Sequence, residues 1–316
     1  MFLYNRVNRR ELKAKADQEA FRRITVSFYR YVHIDNPAAL RNTLYEQWHK
    51  LKVLGRIYIA AEGINAQCSV PEHNLDDFLL QLYSNAVFEG VQVKKAIEEK
   101  GSSFYRLTIK VKQKIVADGI RDETFDPADT GTRLDALAFH RMADQAVVVD
   151  MRNRYESDLG RFTNAICPDV KTFREALPKV VQLLEGKNKQ NILLYCTGGI
   201  RCEKASAWLK HKGFENVYQL DGGIIEYARQ IKQTGLDSKF IGKNFVFDAR
   251  MAERITDDVL GSCHRCGSSC NRQANCANQP CHTLIIQCES CSNELNGCCG
   301  EKCLDEYKTS KNRILQ

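Results

Sequence analysis

The segment 196–201 combines residue types that can activate a sulfur atom. It reads Cys-Thr-Gly-Gly-Ile-Arg, so that Cys196 lies five residues before Arg201. An apolar run at 191–195 predicts a buried strand before the cysteine, and residues 202–212 predict a helix after it. At such a turn, the backbone N–H groups and the positive end of the helix surround the sulfur and stabilise a thiolate or the outer sulfur of a persulfide. The residues that would present these amides are Thr197, Gly198, Gly199 and Ile200.

The length of this loop separates two kinds of enzyme. Phosphatases also place a cysteine before an arginine, but their loops usually have one more residue, which lets them encircle a tetrahedral phosphate. The loop here has six residues, and this smaller ring suits a single sulfur atom. It resembles the active loop of rhodanese (sulfurtransferase) domains. Asp150, Arg152 and Glu156 extend the resemblance, because they form the DxRxxxE pattern that is common early in that fold. The alternative is a buried structural cysteine beside a loop arginine.

Ten of the 14 cysteines lie between residues 263 and 303. Two CxxC pairs with further thiols beyond each of them are typical of tetrahedral zinc sites, because two thiolates on one tight turn reach the same ion. We therefore expect one or two structural zinc ions, with an iron–sulfur cluster or a disulfide-rich module as alternatives. The spacing leaves the grouping open, with His264 and His282 as substitute ligands and at least two thiols left over. The candidate ligands are Cys263, Cys266, Cys270, Cys276, Cys281, Cys288, Cys291, Cys298, Cys299 and Cys303.

The amino-terminal third predicts strands and helices in the order β-α-β-β-α-β. We expect strands at 24–31, 55–61, 64–70 and 104–111, and helices at 38–50 and 71–83. This order is that of a ferredoxin-like α+β sheet, the architecture of acylphosphatases and of many RNA-binding modules.

The predicted hairpin at 61–65 places a carboxylate and an amide between two buried strands. Glu62 and Asn65 are either ordinary turn residues or part of a polar platform that faces the second domain. In the second case they are candidates for facing a substrate, together with Asp150 and Arg152.

Basic residues indicate where a nucleic acid could bind. The formal net charge is +7 at pH 7, and basic residues concentrate at the amino end and interleave with aromatic residues at 94–114. Both patterns fit a phosphate backbone, although a solvated arm and lysines that protect an edge strand are the ordinary alternatives. The RNA-binding candidates are Arg6, Arg9, Arg10, Lys94, Lys95, Lys110 and Lys112.

The length of 316 residues allows two or three domains. We predict a basic arm and ferredoxin-like domain at 1–115, a linker at 116–134, a rhodanese-like, doubly wound α/β domain at 135–240 and a cysteine-rich module at 241–316. A short strand is expected at 245–248. Because no apolar run approaches the roughly 20 residues of a membrane span and the start is charged, we expect a cytoplasmic protein without a membrane partner.

Three motifs resemble those of one family. They are Ala-Glu-Gly-Ile-Asn at 61–65, Cys-Thr-Gly-Gly-Ile-Arg-Cys-Glu-Lys at 196–204 and the cysteine array. Over nearly its whole length the chain resembles the TrhO-type family of tRNA uridine hydroxylases. The resemblance implies oxygen-dependent conversion of the wobble uridine (position 34) of tRNA to 5-hydroxyuridine, with Cys196 as the catalytic cysteine, as a persulfide. It also implies the tRNA anticodon stem-loop as partner and molecular oxygen as co-substrate.

The chemistry of the loop is compatible with that reaction. An activated sulfur that adds to C6 of uracil makes C5 electron-rich, and Arg201 and the loop amides hold the negative charge. Cys202 is either a resolving residue for an oxidised or persulfidated sulfur or a small packing residue. The route of oxygen activation and the electron or sulfur donor stay open, since we find no flavin or nicotinamide motif.

Three other functions share parts of this pattern. A rhodanese-type sulfurtransferase that acts on tRNA or on a small thiol acceptor is the main alternative, because it uses every residue of the same loop. The third function is an RNA-binding adaptor whose rhodanese-like unit is inert. The fourth is a phosphatase.

Overall fold

The computed structural model describes residues 8–98 and 102–314. A short helix, α1 (Arg9–Asp17), precedes the first sheet. The elements of the first module are β1 (Arg23–Tyr31), α2 (Pro37–Lys50), β2 (Leu54–Ala60), β3 (Gly63–Pro71), α3 (Leu75–Tyr83), β4 (Lys94–Lys95) and β5 (Leu107–Val111). Helix α2 begins after Asn36, whose side chain accepts a hydrogen bond from the Ala39 amide, with Pro37 at the first helical position.

The first sheet has the strand order β4-β1-β3-β2-β5. Its first four strands are antiparallel neighbours in ferredoxin-like order, and β5 is added at the far edge, parallel to β2. The sequence predicted the segment 104–111 as the fourth strand. That position is instead held by the two residues of β4, a pairing too short to leave a periodic pattern.

The two faces of the first sheet differ in composition. Phe28 of β1 packs with Trp48 of α2 and Phe78 of α3 in an apolar core on the helix side. Because side chains alternate along a strand, Ser27 and Tyr29 lie on the opposite face. This opposite face is turned toward the second module, so the sheet is covered on both sides.

The second module is an α/β layer structure. Its elements are β6 (Thr132–Leu134), α4 (Ala136–Met142), β7 (Val147–Asp150), α5 (Arg154–Ser157), α6 (Phe173–Leu183), β9 (Asn191–Tyr195), α7 (Ile200–His211), β10 (Asn216–Leu220) and α8 (Gly223–Thr234), with β8 (Gly160–Phe162) in a separate sheet. The four strands β6, β10, β9 and β7 are parallel neighbours in that order. Helices α6 and α7 pack on one face and α4 and α8 on the other, which is the doubly wound arrangement.

The predicted linker at 116–134 ends inside the second sheet. Residues 132–134 form the edge strand β6, which pairs with β10. The buried Ser206 hydroxyl of α7 accepts a hydrogen bond from the Gly131 amide at 2.9 Å. The last part of this segment is therefore structured rather than a free connection.

A third sheet has the order β12-β11-β8, with β11 (Phe240–Phe245) and β12 (Ala252–Arg254). The strand expected at 245–248 is wrong in position, because β11 ends at Phe245. The Asp248 side chain accepts a hydrogen bond from the Arg250 amide at 2.9 Å, and this local turn reverses the chain into β12.

The cysteine-rich module has little regular structure apart from β13 (Gln273–Asn275), β14 (Leu284–Ile286), α9 (Glu289–Glu294) and α10 (Glu301–Ile314). Its small core contains Cys276, Leu295 and Cys298. Among the described residues, no helix is both long enough and apolar enough to span a membrane.

Candidate active site and cysteine clusters

The Cys196 loop connects β9 to α7, as the sequence predicted. Cys196 is almost completely buried, and the Gly199 amide donates a hydrogen bond to its Sγ at 3.1 Å. Gly199 has φ of 101°, and a Cβ at this position would lie 2.8 Å from the Tyr29 hydroxyl oxygen. A larger residue would therefore strain the loop and collide with the first sheet.

The Cys196 thiol is acidic in this setting. Burial alone would raise its pKa, but a hydrogen bond from the Cys202 thiol, the charge of Arg201 and the backbone amides of Arg201 and Cys202 outweigh burial and lower the pKa to about 6. Burial and the adjacent Cys196 sulfur raise the pKa of Cys202 well above its usual range. Near neutral pH, Cys196 is thus an ionised sulfur beside a protonated thiol.

A buried carboxylate fixes the loop arginine. The Arg201 guanidinium donates two hydrogen bonds to Glu156, at 2.7 and 2.8 Å. Burial alone would raise the pKa of Glu156, but the positive charge of Arg201 lowers it. The bidentate pair holds the guanidinium close enough to Cys196 to stabilise its negative charge.

Asp150 and Arg152 do not face the cavity, contrary to the sequence prediction. They are 0% and 1% exposed, and Arg152 donates to Asp150 at 2.6 Å and to the Gly160 carbonyl at 2.6 Å. The Tyr195 hydroxyl donates to Asp150 at 2.8 Å. These contacts join the ends of β7, β8 and β9. The charges of Asp150 and Arg152 neutralise each other in a buried ion pair.

A cavity of about 320 Å³ lies beside Cys196, between the loop and the polar face of the first sheet. Asn65 lines it, and a role for Asn65 toward a substrate stays a prediction. Residues that the sequence did not single out complete the wall. They are Ser27, Tyr29, Arg56, Tyr58 and Gln67 of the first sheet, and Phe247, Arg250 and Glu253 near the third sheet. The alternation of polar and apolar residues along β1, β2 and β3 is the signal that could have identified the sheet residues.

Several side chains of the first module contact the loop and the helix that follows it. Tyr29 donates to Glu203 at 2.9 Å, and Tyr31 donates to the Ile200 carbonyl at 3.3 Å. Lys94 donates to the Gly198 carbonyl at 2.8 Å. The first sheet is therefore a structural lid on the Cys196 loop.

Glu62 lies outside the cavity lining, contrary to the idea that it faces a substrate. Its carboxylate accepts hydrogen bonds from the Ile115 amide and from buried Lys204, both at 2.7 Å. Lys204 also pairs with buried Asp118. Glu62 thus joins the first module to α7.

The predicted RNA-binding residues fall into three groups. Lys95, Lys110 and Lys112 are exposed, whereas Lys94 is 6% exposed and bound to the loop, which contradicts its assignment as an RNA contact. Arg6 lies outside the described residues, and Arg9 and Arg10 begin α1. Lys110, Lys112, Arg56 and Arg106 form an exposed basic patch, and none of them pairs with a carboxylate among residues 8–98 and 102–314.

Eight of the ten clustered cysteines form two groups of four. In each group the sulfur atoms lie within 4.8 Å of one another. One group is Cys263, Cys266, Cys288 and Cys291, and the other is Cys276, Cys281, Cys299 and Cys303. Four convergent thiolates are the donor set of a tetrahedral structural zinc site, so the residues fit that ion. Cys270, Cys298, His264 and His282 belong to neither group.

Protein-family comparisons match three consecutive parts of the chain. Residues 23–115 match the UPF0176 acylphosphatase like domain. Residues 135–230 match the rhodanese-like domain, and residues 241–304 match the domain described as Rhodanase C-terminal. These matches confirm the expected fold class, with an acylphosphatase-like first domain, a rhodanese-like second domain and a cysteine-rich third part.

Curated relatives share about half of the sequence. A protein from Pectobacterium carotovorum subsp. carotovorum (strain PC1) named tRNA uridine(34) hydroxylase is 53% identical over 309 residues, which are 97% of this chain and 87% of that protein. A protein of the same name from Leptospira interrogans serogroup Icterohaemorrhagiae serovar Lai (strain 56601) is 52% identical over 303 residues, which are 95% of this chain and 83% of that protein. Among solved structures, a rhodanese-related protein from Thermoplasma volcanium aligns with 35% of this chain and 97% of its own, at 20% identity and a TM-score of 0.28.

Proposed function

This chain belongs to the family of tRNA uridine(34) hydroxylases, and we propose that it uses Cys196 to convert the wobble uridine of tRNA to 5-hydroxyuridine. The observation that supports this role most directly is the position of Cys196. Its ionised sulfur lines a cavity of about 320 Å³, and cavities of this size suit a small ring. A base inside a folded RNA loop must leave its stack to reach such a site.

The sulfur, as thiolate or as persulfide, acts as the nucleophile. Its addition to C6 of uracil places electron density on C5, which takes one oxygen atom from molecular oxygen. Loss of the C5 proton and departure of the sulfur then restore the C5–C6 double bond. The second oxygen atom leaves as water, which requires two electrons from a donor outside this chain. Arg201 and the Gly199 amide hold the sulfur's negative charge before addition and after departure.

The substrate tRNA is held by its phosphates, and its anticodon stem-loop delivers the wobble uridine. Arg56 and Tyr58 line both the Cys196 cavity and a second, larger groove of about 830 Å³, so the two spaces are adjacent. Arg106 and Lys110 also line this groove. Exposed cations beside a buried reactive group fit an RNA backbone that passes over the cavity mouth. Because tRNA is its substrate, the chain is expected to act in the cytoplasm.

The two groups of four cysteines hold one zinc ion each. Zinc at these positions supplies a structural crosslink for a module with a very small core. The cysteine-rich module contributes Ala274, Asn275, His282 and Leu284 to the larger groove. Zinc binding therefore shapes one wall of the RNA path.

Nucleoside mass spectrometry tests the function. Cells that lack the protein are complemented with wild type, with Cys196→Ser or with the matched control Cys167→Ser, whose cysteine lies outside the loop. Wild type and the control should restore an oxygen-bearing wobble uridine, and Cys196→Ser should not. If the oxygen mark is unchanged in the deleted cells and a sulfur mark is lost, the protein is a sulfurtransferase instead.

A further inference from the structure

Three residues of the first sheet lie side by side on the face that lines the Cys196 cavity. Ser27 of β1 is opposite Gln67 of β3, and Gln67 is opposite Arg56 of β2. In the next row toward the loop, Tyr29, Asn65 and Tyr58 are opposite one another in the same way. All six residues line the cavity, so two cross-strand rows of polar and aromatic groups share this space with the Cys196 sulfur.

The polar groups of the Ser27–Gln67–Arg56 row have no partner in the part of the chain that the structure describes. Gln67 and Ser27 are half-buried, Arg56 is exposed, and none of their side chains forms a hydrogen bond or ion pair with another described residue. By contrast, Tyr29 is bound to Glu203 and Lys94 to Gly198 in the same region. An amide that stays accessible inside a cavity among satisfied neighbours is available for a ligand.

We propose that Gln67, together with Asn65 and Arg56, reads the Watson–Crick edge of the target uracil and rejects cytosine. This inference rests on the proposed function, since it assumes that a pyrimidine enters the Cys196 cavity. Uracil presents a donor at N3 between two carbonyl acceptors, whereas cytosine presents an acceptor at N3 and a donor at N4. The Gln67 side chain offers the complementary acceptor and donor in one planar group.

Neighbouring groups determine which pyrimidine the row prefers. Asn65 Nδ2 donates to the Ile115 carbonyl at 3.5 Å, which leaves its Oδ1 as a further acceptor beside Gln67. Arg56 offers only donors, so it suits a second carbonyl and repels the amino group of cytosine. Uracil has carbonyls at both C2 and C4. Gln67 accepts from N3–H and donates to one carbonyl, and Arg56 donates to the other, so the row matches uracil at three positions and cytosine at fewer.

Aromatic residues beside the row hold the ring. Tyr58 in the adjacent row and Phe247, just after β11, both line the space, and flipped bases are commonly held by such rings. The Lys94 ammonium lies 4.8 Å from the centre of the Tyr29 ring, so one face of this tyrosine is already covered. Lys112 and Arg201 lie in the same way over one face of Tyr58 and of Phe247, each 5.7 Å from the ring centre, so a base would stack on the opposite face of either ring.

The test measures preference rather than activity. Full-length protein is titrated with synthetic anticodon stem-loops that carry uridine, 3-methyluridine or cytidine at position 34, and dissociation constants are compared within each variant. Wild type should prefer uridine by about 10- to 100-fold over the other two, the range expected of a two-point base contact. Gln67→Leu should lose most of this preference. Gln67→Glu should shift it toward cytidine, because a carboxylate accepts from N4.

The outcomes separate the two proposals. A reversed preference in Gln67→Glu is a result that misfolding does not produce, and Gln233→Glu on the exposed face of α8 is the matched control. If Gln67→Leu and Gln67→Glu keep the wild-type ratios, base reading by Gln67 is wrong even though hydroxylation stands. If wild type itself does not distinguish the three stem-loops, base reading is also wrong. The proposed function fails only in the cell experiment, when the oxygen mark does not depend on the protein.

Discussion

The Lys94 ammonium donates a hydrogen bond of 2.8 Å to the Gly198 carbonyl, which joins the first sheet to the loop of the second module. Burial lowers the pKa of Lys94, and carboxylates such as Asp221, together with the Cys196 sulfur, oppose that effect. Lys94 therefore adds positive charge close to Cys196 and holds the loop in place through the Gly198 carbonyl. Its position makes it part of the site rather than part of the proposed RNA-binding surface.

Lys94→Met should lower hydroxylation without changing the salt dependence of tRNA binding, because the side chain does not reach solvent.

The double variant Lys110→Gln/Lys112→Gln removes two exposed charges and should weaken tRNA binding across sequences. It should also reduce the slope of log affinity against log salt by about one to two. Binding isotherms at several salt concentrations measure both. A changed slope in Lys94→Met would return this residue to the RNA surface.

The reactivity of Cys196 should follow a pKa near 6. The thiolate fraction rises as the pH increases through this value, so alkylation by iodoacetamide should level off by neutral pH and fall in acid. Cys202→Ala removes a hydrogen-bond donor to the sulfur and should move the midpoint upward. Peptide-resolved mass spectrometry measures the rates. Cys167, whose pKa is raised by burial to about 11, is the internal control and should remain slow until alkaline pH. A Cys196 midpoint near 9 would contradict the description of the loop.

Glu156→Gln should both destabilise the protein and lower the reactivity of the Cys196 sulfur. It leaves the buried Arg201 guanidinium without its carboxylate, and breaking a buried pair of this kind costs about 3–5 kcal/mol. Thermal unfolding together with the alkylation profile of Cys196 measures the two effects. Glu185→Gln, at an exposed position, should match wild type in both. Normal stability in Glu156→Gln would show that the pair contributes little.

Each group of four cysteines should account for one of the two zinc ions in the protein. Purified protein should hold two zinc ions per chain by elemental analysis. Cys288→Ser should lose one and Cys281→Ser the other, because each removes one of four ligands. Cys270→Ser should keep both, since Cys270 belongs to neither group. Loss of zinc from Cys270→Ser, or full content in Cys288→Ser, would overturn the grouping.

Local features were predictable because their causes lie close together in the chain. The strand before Cys196 and the helix after it follow from apolar patterning over a few residues, and the two glycines and Arg201 identify the loop. The main strands and helices of the first module were predicted for the same reason. The two-residue strand β4 was missed, since two lysines carry no periodic pattern.

The sequence by itself determined the reactive loop, the order of the main elements and the abundance of closely spaced thiols that could hold a metal. Only the tertiary structure decided which eight thiols converge, that Lys94, Asp150 and Arg152 are buried, and that Gln67 and Asn65 line the same cavity as Cys196. These facts depend on strand register and on how one module packs against another. Pairing of groups that are more than a hundred residues apart, such as Lys94 with Gly198, is set by the packing of whole elements and leaves no local pattern in the chain.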